Sequence, residues 1–363
     1  MKLTHIRTDI VLLPAEEPLA GALAQPGGRR PAVTLTLGTD AGIEGIGFTF
    51  FGAGATRGLR ATLDELGAVI VGEDPLCRQQ VLRRLHAAAG SAGPSGMFTL
   101  AAAAIDIALW DILGKAQSLP LWKLLGGTGA PVATYASGAL MRELDLPAAE
   151  AAAARLVAAG FRSMKMQLAL PGDPGAEIEI ARARAIRAAI GPEVALMCDI
   201  NQRWRVDQAI AIGRRLEGIG FAWLEDVVAA DDFPGLARVA AALATPLAGG
   251  EYLYGLAPFR HMMEAGSVDI AMIDPFRAGG ITGWLKVAAL AEAFDLPVVS
   301  HLAPEIQVHL VGAVPNGLTV EYMPWTTRLF QEVPRPAQGL LTMPAGPGLG
   351  LSFDEDAIRH FRA

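Results

Sequence analysis

The sequence predicts an α/β protein: a modified TIM (β/α) barrel carrying an N-terminal α+β capping domain. Three observations predict it. From Val132 onward, short apolar strands alternate with alanine-rich helical runs, and the polar residues that end those strands recur at a nearly constant interval. Residues 1–125 follow a different pattern, first strand-like alternation and then helical periodicity. A chain of 363 residues, 52% hydrophobic with only 6% aromatics, is long enough for one large or two ordinary domains with cores of their own.

The capping domain is expected over residues 1–125, completed by a C-terminal tail of about 326–363. Its strands are "LTHIRTDIVLL", "AVTLTLGTD" and "GIEGIGFTF", and its helices include "VLRRLHAAAG" and "LAAAAIDIALWDILGKA". Asp106 and Asp111 interrupt the last of these, which reads as a buried helix too short to cross a bilayer. "AQPGGRRP" and "FFGAGATRG" are Gly/Pro-rich loops that could close over a barrel mouth. The barrel is expected over residues 126–325, its strands being "VATYAS", "RSMKMQ", "VALMCDI", "FAWLED", "PLAGGE", "VDIAMID", "PVVSH" and "LTVE". Continuous apolar strands joined by crossover helices are what a parallel sheet buried on both faces requires. The natural closed form of such a sheet is the barrel.

The chemistry lies where these strands end. Their terminal polar residues are Lys165 and Gln167, Asp199 and Asn201, Glu225, Glu251, Asp274, His301 and Glu321. From Asp199 the spacings are 26, 26, 23, 27 and 20 residues, one βα unit each, so the side chains should converge at the C-terminal mouth. One acid after one strand is more often a helix cap than a ligand; a whole series is not. Asp199, Glu225 and Glu251 make a hard oxygen site suited to Mg²⁺. The absence of a Cys/His cluster argues against zinc. Cys77 and Cys198 cannot make a disulfide framework, and the start "MKLTHIRTDIVLLP" has no secretory h-region, so a cytoplasmic protein is expected. A net charge of -7, from 37 acidic and 30 basic residues, offers no basic patch for nucleic acid or anionic lipid. A small-molecule partner is expected.

The run "AAAAIDIALWDILGKAQSLPLWKLLGG", the ordered acids Asp199, Glu225 and Glu251, and "MIDPFRAGGITGW" followed by "VVSHLAPEIQVHL" and "LTVEY" resemble the mandelate racemase subgroup of the enolase superfamily. The resemblance implies essential Mg²⁺, a homo-oligomer, and removal of a proton α to a carboxylate. That proton is very weakly acidic, because ionising it puts a second negative charge on one group, and charge neutralisation must lower the barrier. His301 is then the base and Asp274 orients its ring. Lys165 and a protonated Glu321 would stabilise the substrate's developing charge, and Asn201 would contact a metal water or the substrate. The remaining histidines, His5, His86, His261, His309 and His360, read as structural.

Gln167 stands where the racemase pattern places a second basic lysine. An amide cannot exchange a proton near neutral pH, and a missing acid or base costs about 10²- to 10⁴-fold. One-sided chemistry remains: dehydration of an acid sugar to a 2-keto-3-deoxy acid, with Gln167 free to bind a substrate hydroxyl. An isomerase using the same residues, whether epimerase or sugar-lactone cycloisomerase, stays open, as does a non-catalytic carboxylate-binding member. Specificity is expected from residues 15–31 and 48–58, whose polar candidates are Glu16, Glu17, Arg29, Arg30 and Arg57, with Phe50 and Phe51 excluding water. Arg29 or Arg57 could pair with a distal carboxylate.

Overall fold

The computed structural model describes residues 1–23, 28–50, 52–93 and 95–363. Phe51 and the first half of the "AQPGGRRP" loop lie outside the described residues. The chain opens with β1 (Leu3–Pro14), a minimal hairpin of β2 (Glu16–Glu17) and β3 (Ala22–Leu23), then β4 (Arg29–Thr39) and β5 (Glu44–Thr49). β1, β4 and β5 form one antiparallel sheet in that order. Helices α1 (Thr56–Ile70), α2 (Arg78–Ala89), α3 (Gly96–Gln117) and the single turn α4 (Leu121–Leu124) follow.

α3 lies between the cap sheet and the barrel. Close approach of β5 needs glycine: a Cβ on Gly47 would meet the Ala104 carbonyl oxygen at 2.2 Å. The two aspartates of this apolar helix are buried ties rather than breaks. Asp111 accepts hydrogen bonds from the Ile46 N–H of β5 (2.9 Å), the Leu349 N–H of the tail (2.9 Å) and the Lys115 ammonium (2.7 Å). Asp106 accepts from the backbone N–H and the hydroxyl of Thr282 in the barrel, at 2.8 and 2.6 Å. Burial nonetheless pushes the Asp106 carboxyl up to about 6. The expectation of a segment too short for a bilayer is corrected here: α3 has 22 residues, enough to span one by length, but 83% of its most apolar stretch is buried inside the protein, so packing accounts for its apolarity.

The barrel runs β6 (Val132–Leu140), α5 (Leu146–Ala158), β7 (Ser163–Gln167), α6 (Ala176–Ile190), β8 (Ala195–Asp199), α7 (Val206–Leu216), β9 (Phe221–Glu225), α8 (Phe233–Ala240), β10 (Leu247–Gly249), α9 (Leu256–Glu264), β11 (Ile270–Ile273), α10 (Gly280–Ala293), β12 (Val298–Ser300), α11 (Pro304–Val311) and β13 (Gly317–Tyr322). β6 to β13 pair in sequence order, every pair parallel, and β13 closes onto β6. Alternation sorts the side chains into two cores. Tyr135, Met197, Trp223, Met272 and Val299 fill the barrel interior, while their neighbours Met164, Met166, Cys198, Leu224 and Ile273 face the helices.

The tail touches both parts of the molecule. The hairpin of β14 (Pro336–Ala337) and β15 (Leu340–Leu341) adds antiparallel to β6. Phe330 packs edge-on against Phe48 at 5.7 Å, and α12 (Glu355–Phe361) lies against β1 with Glu355 paired to Arg7 at 2.7 Å. His309 of α11 fastens the tail to α4: its Nδ1 accepts from the Trp122 N–H at 3.2 Å and its Nε2 donates to the Leu349 carbonyl at 3.0 Å.

That geometry requires a neutral ring. Burial lowers the His309 pKa from 6.5 to about 4. The unfolded chain therefore takes up this proton first on acidification, so the contribution is intact above the unfolded value and is lost as pH falls from about 6.5 to about 4, up to about 3 kcal/mol. In His309→Gln, the fall of Tm across that window is expected to be shallower than in the wild type. Equal slopes in a pH series of thermal unfolding curves would contradict this.

Candidate active site

Lys165 is the centre of the barrel mouth. It lies on the inward face of β7, 5% exposed, with its ammonium 2.5 Å from Glu225 Oε1 and 2.9 Å from Glu321 Oε1, and 5.6 Å from the Tyr135 ring centroid below. Burial acts to lower its pKa, but the Glu225 and Glu321 charges outweigh it and the pKa is raised. Lys165 is thus a fixed cation, not a base. Trp223, edge-on to Tyr135 at 5.5 Å, donates its indole N–H to Glu225 Oε2 at 3.1 Å and fixes that carboxylate from underneath.

The carboxylates of Glu225, Asp226 and Glu251 each place an oxygen within 4.8 Å of the others'. All three are buried, and Asp226 Oδ2 has no hydrogen-bond partner. An all-oxygen, hard-donor group with an unpartnered buried oxygen fits Mg²⁺. Asp199, expected in this group, stands beside it: it pairs in register with Glu225, but its Oδ1 accepts the Asn201 N–H at 2.7 Å and its Oδ2 faces the Gln167 amide at 3.4 Å. Burial pushes the Asp199 carboxyl up to about 6, Lys165 opposing and Glu251 adding repulsion. Burial likewise drives Glu225 and Asp226 well above the usual carboxylate range, with the neighbouring acids adding to it. These groups cannot all ionise cheaply without a further cation among them.

His301 and Asp274 meet as expected. Asp274 Oδ2 lies 2.7 Å from His301 Nδ1, and His301 Nε2 lies 3.3 Å from Glu251 Oε2. Asp274 is held by the N–H groups of Phe276 (2.8 Å) and Arg277 (2.7 Å). Burial would raise its pKa, yet the Arg277 guanidinium and the His301 hydrogen bond lower it, so it is an anion. Burial would also lower the His301 pKa, but Glu251 and Asp274 leave it raised. Burial favours the neutral form of Glu321, but Lys165, His301 and the Leu302 N–H at 2.6 Å bring its pKa down to about 2.

Gln167 is tied into the mouth: its amide nitrogen donates to Asn201 Oδ1 at 3.1 Å and faces Asp199, and its oxygen accepts from the Arg142 N–H at 3.4 Å, which leaves that oxygen a second lone pair for a substrate hydroxyl. Asn201 is engaged in turn by the Arg142 guanidinium and, at 3.4 Å, by the Tyr252 hydroxyl. Arg29 is exposed at the rim of the cavity between cap and mouth, and donates to the Leu12 carbonyl at 3.3 Å. Arg57 is exposed near the start of α1 and does not line that cavity.

Sequence reasoning missed Arg142, Asp226 and Arg277. β6 runs to Leu140, beyond the strand expected there, so Arg142 was not counted at a strand end. Asp226 has φ +43°, which breaks the alternation that would turn it outward. Arg277, three residues after Asp274, reaches the Glu251 carbonyl at 2.9 Å; its position in "MIDPFRAGG" was the available signal.

A capped barrel with a hard-oxygen cluster and a His–Asp pair at its mouth defines the enolase class of (β/α) barrels. Residues 9–126 match the mandelate racemase/muconate lactonizing enzyme N-terminal domain and residues 148–357 the enolase C-terminal domain-like family, and the chain belongs to the mandelate racemase/muconate lactonizing enzyme family. It is 32% identical to L-talarate/galactarate dehydratase of Salmonella typhimurium over 99% of this chain and 90% of that one. It is 31% identical to 3,6-anhydro-alpha-L-galactonate cycloisomerase of Streptomyces coelicolor over 98% of both. Among solved structures, L-talarate dehydratase from Polaromonas sp. JS666, complexed with Mg and L-glucarate, superposes with a TM-score of 0.91 at 31% identity, covering 100% of this chain and 97% of that one.

Saturating Mg²⁺ is expected to raise Tm, by about 2.7 kcal/mol of added stability at a hundredfold excess over Kd. Glu251→Gln should move the Mg²⁺ midpoint up at least about tenfold. A thermal shift titration in which both proteins respond alike would remove Glu251 from the metal site.

Proposed function

We propose that this enzyme is a Mg²⁺-dependent hydro-lyase acting on a sugar acid. It removes the proton α to the carboxylate, eliminates the β-hydroxyl and yields a 2-keto-3-deoxy acid. The observation that carries this reading is the asymmetry of the mouth: a His–Asp pair on one side, His301 Nδ1 to Asp274 Oδ2 at 2.7 Å, and on the other Gln167, an amide that cannot exchange a proton near neutral pH. The relatives named as dehydratases support the reaction class.

In this reading Glu225 and Glu251 hold the metal together with Asp199, which pairs in register with Glu225, and Asp226 supplies a further buried oxygen of the same cluster. Bound Mg²⁺ would neutralise charge building up on the substrate carboxylate. Lys165, held ionised by Glu225 and Glu321, adds a fixed positive charge at the same place at no reorganisation cost. Glu321 is the counter-ion that keeps Lys165 in position. His301 takes the α-proton through Nε2 while Asp274 steadies Nδ1–H. The C–O bond to the β-hydroxyl then breaks, the leaving oxygen takes the proton from His301, and the enol tautomerises to the keto acid. Gln167 and Asn201 position Asp199.

Proton NMR in D₂O with Mg²⁺, over aldonates, aldarates and their lactones, tests the reading. The expected outcome is a 2-keto-3-deoxy acid, with kcat reduced about 10²- to 10⁴-fold in His301→Asn. Deuterium exchange or lactone rearrangement without loss of water would assign the chain to the isomerases instead.

A further inference from the structure

The cavity between cap and barrel mouth has a volume of about 290 Å³, and its lining includes Leu302 and Ala303, next in the chain after His301, and Phe276, two residues after Asp274. Its wall is mainly apolar: Leu13, Pro31, Phe48, Phe50, Met323 and Trp325 all contribute. Among the described lining residues Arg29, Arg30, Thr326 and the Trp325 indole can hydrogen-bond, and all but Arg29 are already committed to buried partners. Arg30 donates to the Glu16 carbonyl at 2.9 Å, is ion-paired with Glu17 Oε1, and stacks with its guanidinium carbon 4.0 Å from the Trp325 ring centroid. Glu17 is 3% exposed, and its second oxygen accepts the Trp325 indole N–H at 3.3 Å. The Thr326 hydroxyl donates to Glu305 at 2.5 Å. Arg29 is exposed, where solvent screens its charge.

A substrate end placed here finds a cation already neutralised, with a buried carboxylate behind it. Among the described residues, a second carboxylate would be desolvated beside Glu17 with Arg30 already ion-paired and only the solvent-screened Arg29 left to meet it, and hydroxyls would lose water partners against a mainly apolar wall. Resting on the sugar-acid reading above, we propose that the substrate is a monoacid whose distal end is uncharged and poor in hydroxyls, as in a terminal deoxy group. In this proposal Glu17, by holding Arg30, is the residue that rejects a distal carboxylate.

The test compares kcat/KM of the Mg²⁺-loaded enzyme for hexarates and for 6-deoxyhexonates of matched configuration. The 6-deoxyhexonate is expected to be preferred by about 10- to 100-fold. Glu17→Gln frees Arg30 and is expected to narrow that gap by raising kcat/KM for the hexarate. If Glu17→Gln does not fold, the wild-type ratio still decides. A hexarate that matches or exceeds its deoxy counterpart overturns this inference and leaves proton abstraction standing; loss of that hexarate activity in Arg29→Met or Arg30→Met would identify the arginine that receives it. A Glu17→Gln enzyme with an unchanged ratio removes the role given to Glu17. If none of the acids loses its α-proton, the reading beneath falls as well.

Discussion

Everything at the barrel mouth is arranged around one buried ammonium. Lys165 is the only cation in direct contact with Glu225 and Glu321 among the described ion pairs, and it lies inside a ring of further acids, Asp199, Asp226 and Glu251. A buried charge persists only when its partners are fixed and hydrogen-bonded. The fold meets that condition with Trp223 under Glu225, the Leu302 N–H on Glu321, and Asn201 and Gln167 around Asp199. The acids outnumber the ammonium, and this excess makes the mouth a cation site.

Much of this was legible because a parallel barrel converts sequence period into spatial position. The strand-end series from Lys165 to Glu321 placed the His301–Asp274 pair and the acids of the mouth with no structural information. What stayed hidden depended on local departures from that period or on cross-strand neighbours. Gly250, at φ +125°, lets Glu251 reach the mouth from beyond the end of β10, and a Cβ there would meet the Met272 carbonyl at 2.7 Å. Asp226 escapes alternation in the same way. The lowered pKa of Glu321 and the hydrogen bonds of Gln167 follow from partners elsewhere around the mouth, which no single strand reveals.

The cap and barrel share one continuous apolar core, and a few buried carboxylates within it give their contact direction. Asp111 gathers β5, the tail and its own helix; Asp106 meets the start of α10; Glu17 joins Arg30 to Trp325 after β13. Such hydrogen bonds are directional, and each leaves an unsatisfied buried charge if it slips. They therefore fix the orientation of the cap over the mouth, and with it the shape of the cavity in which specificity resides.

Asp106 and Asp111 have a further consequence before the fold is complete. While the chain is being made, α3 is a 22-residue apolar segment without its packing partners, and a translocon would read it as a candidate for insertion. A carboxylate near the middle of such a segment opposes insertion by about 2.5–3.5 kcal/mol, against about 0.3–0.6 kcal/mol gained from each large aliphatic side chain. The same side chains that lock the finished helix between cap and barrel thus keep the nascent helix out of the lipid phase.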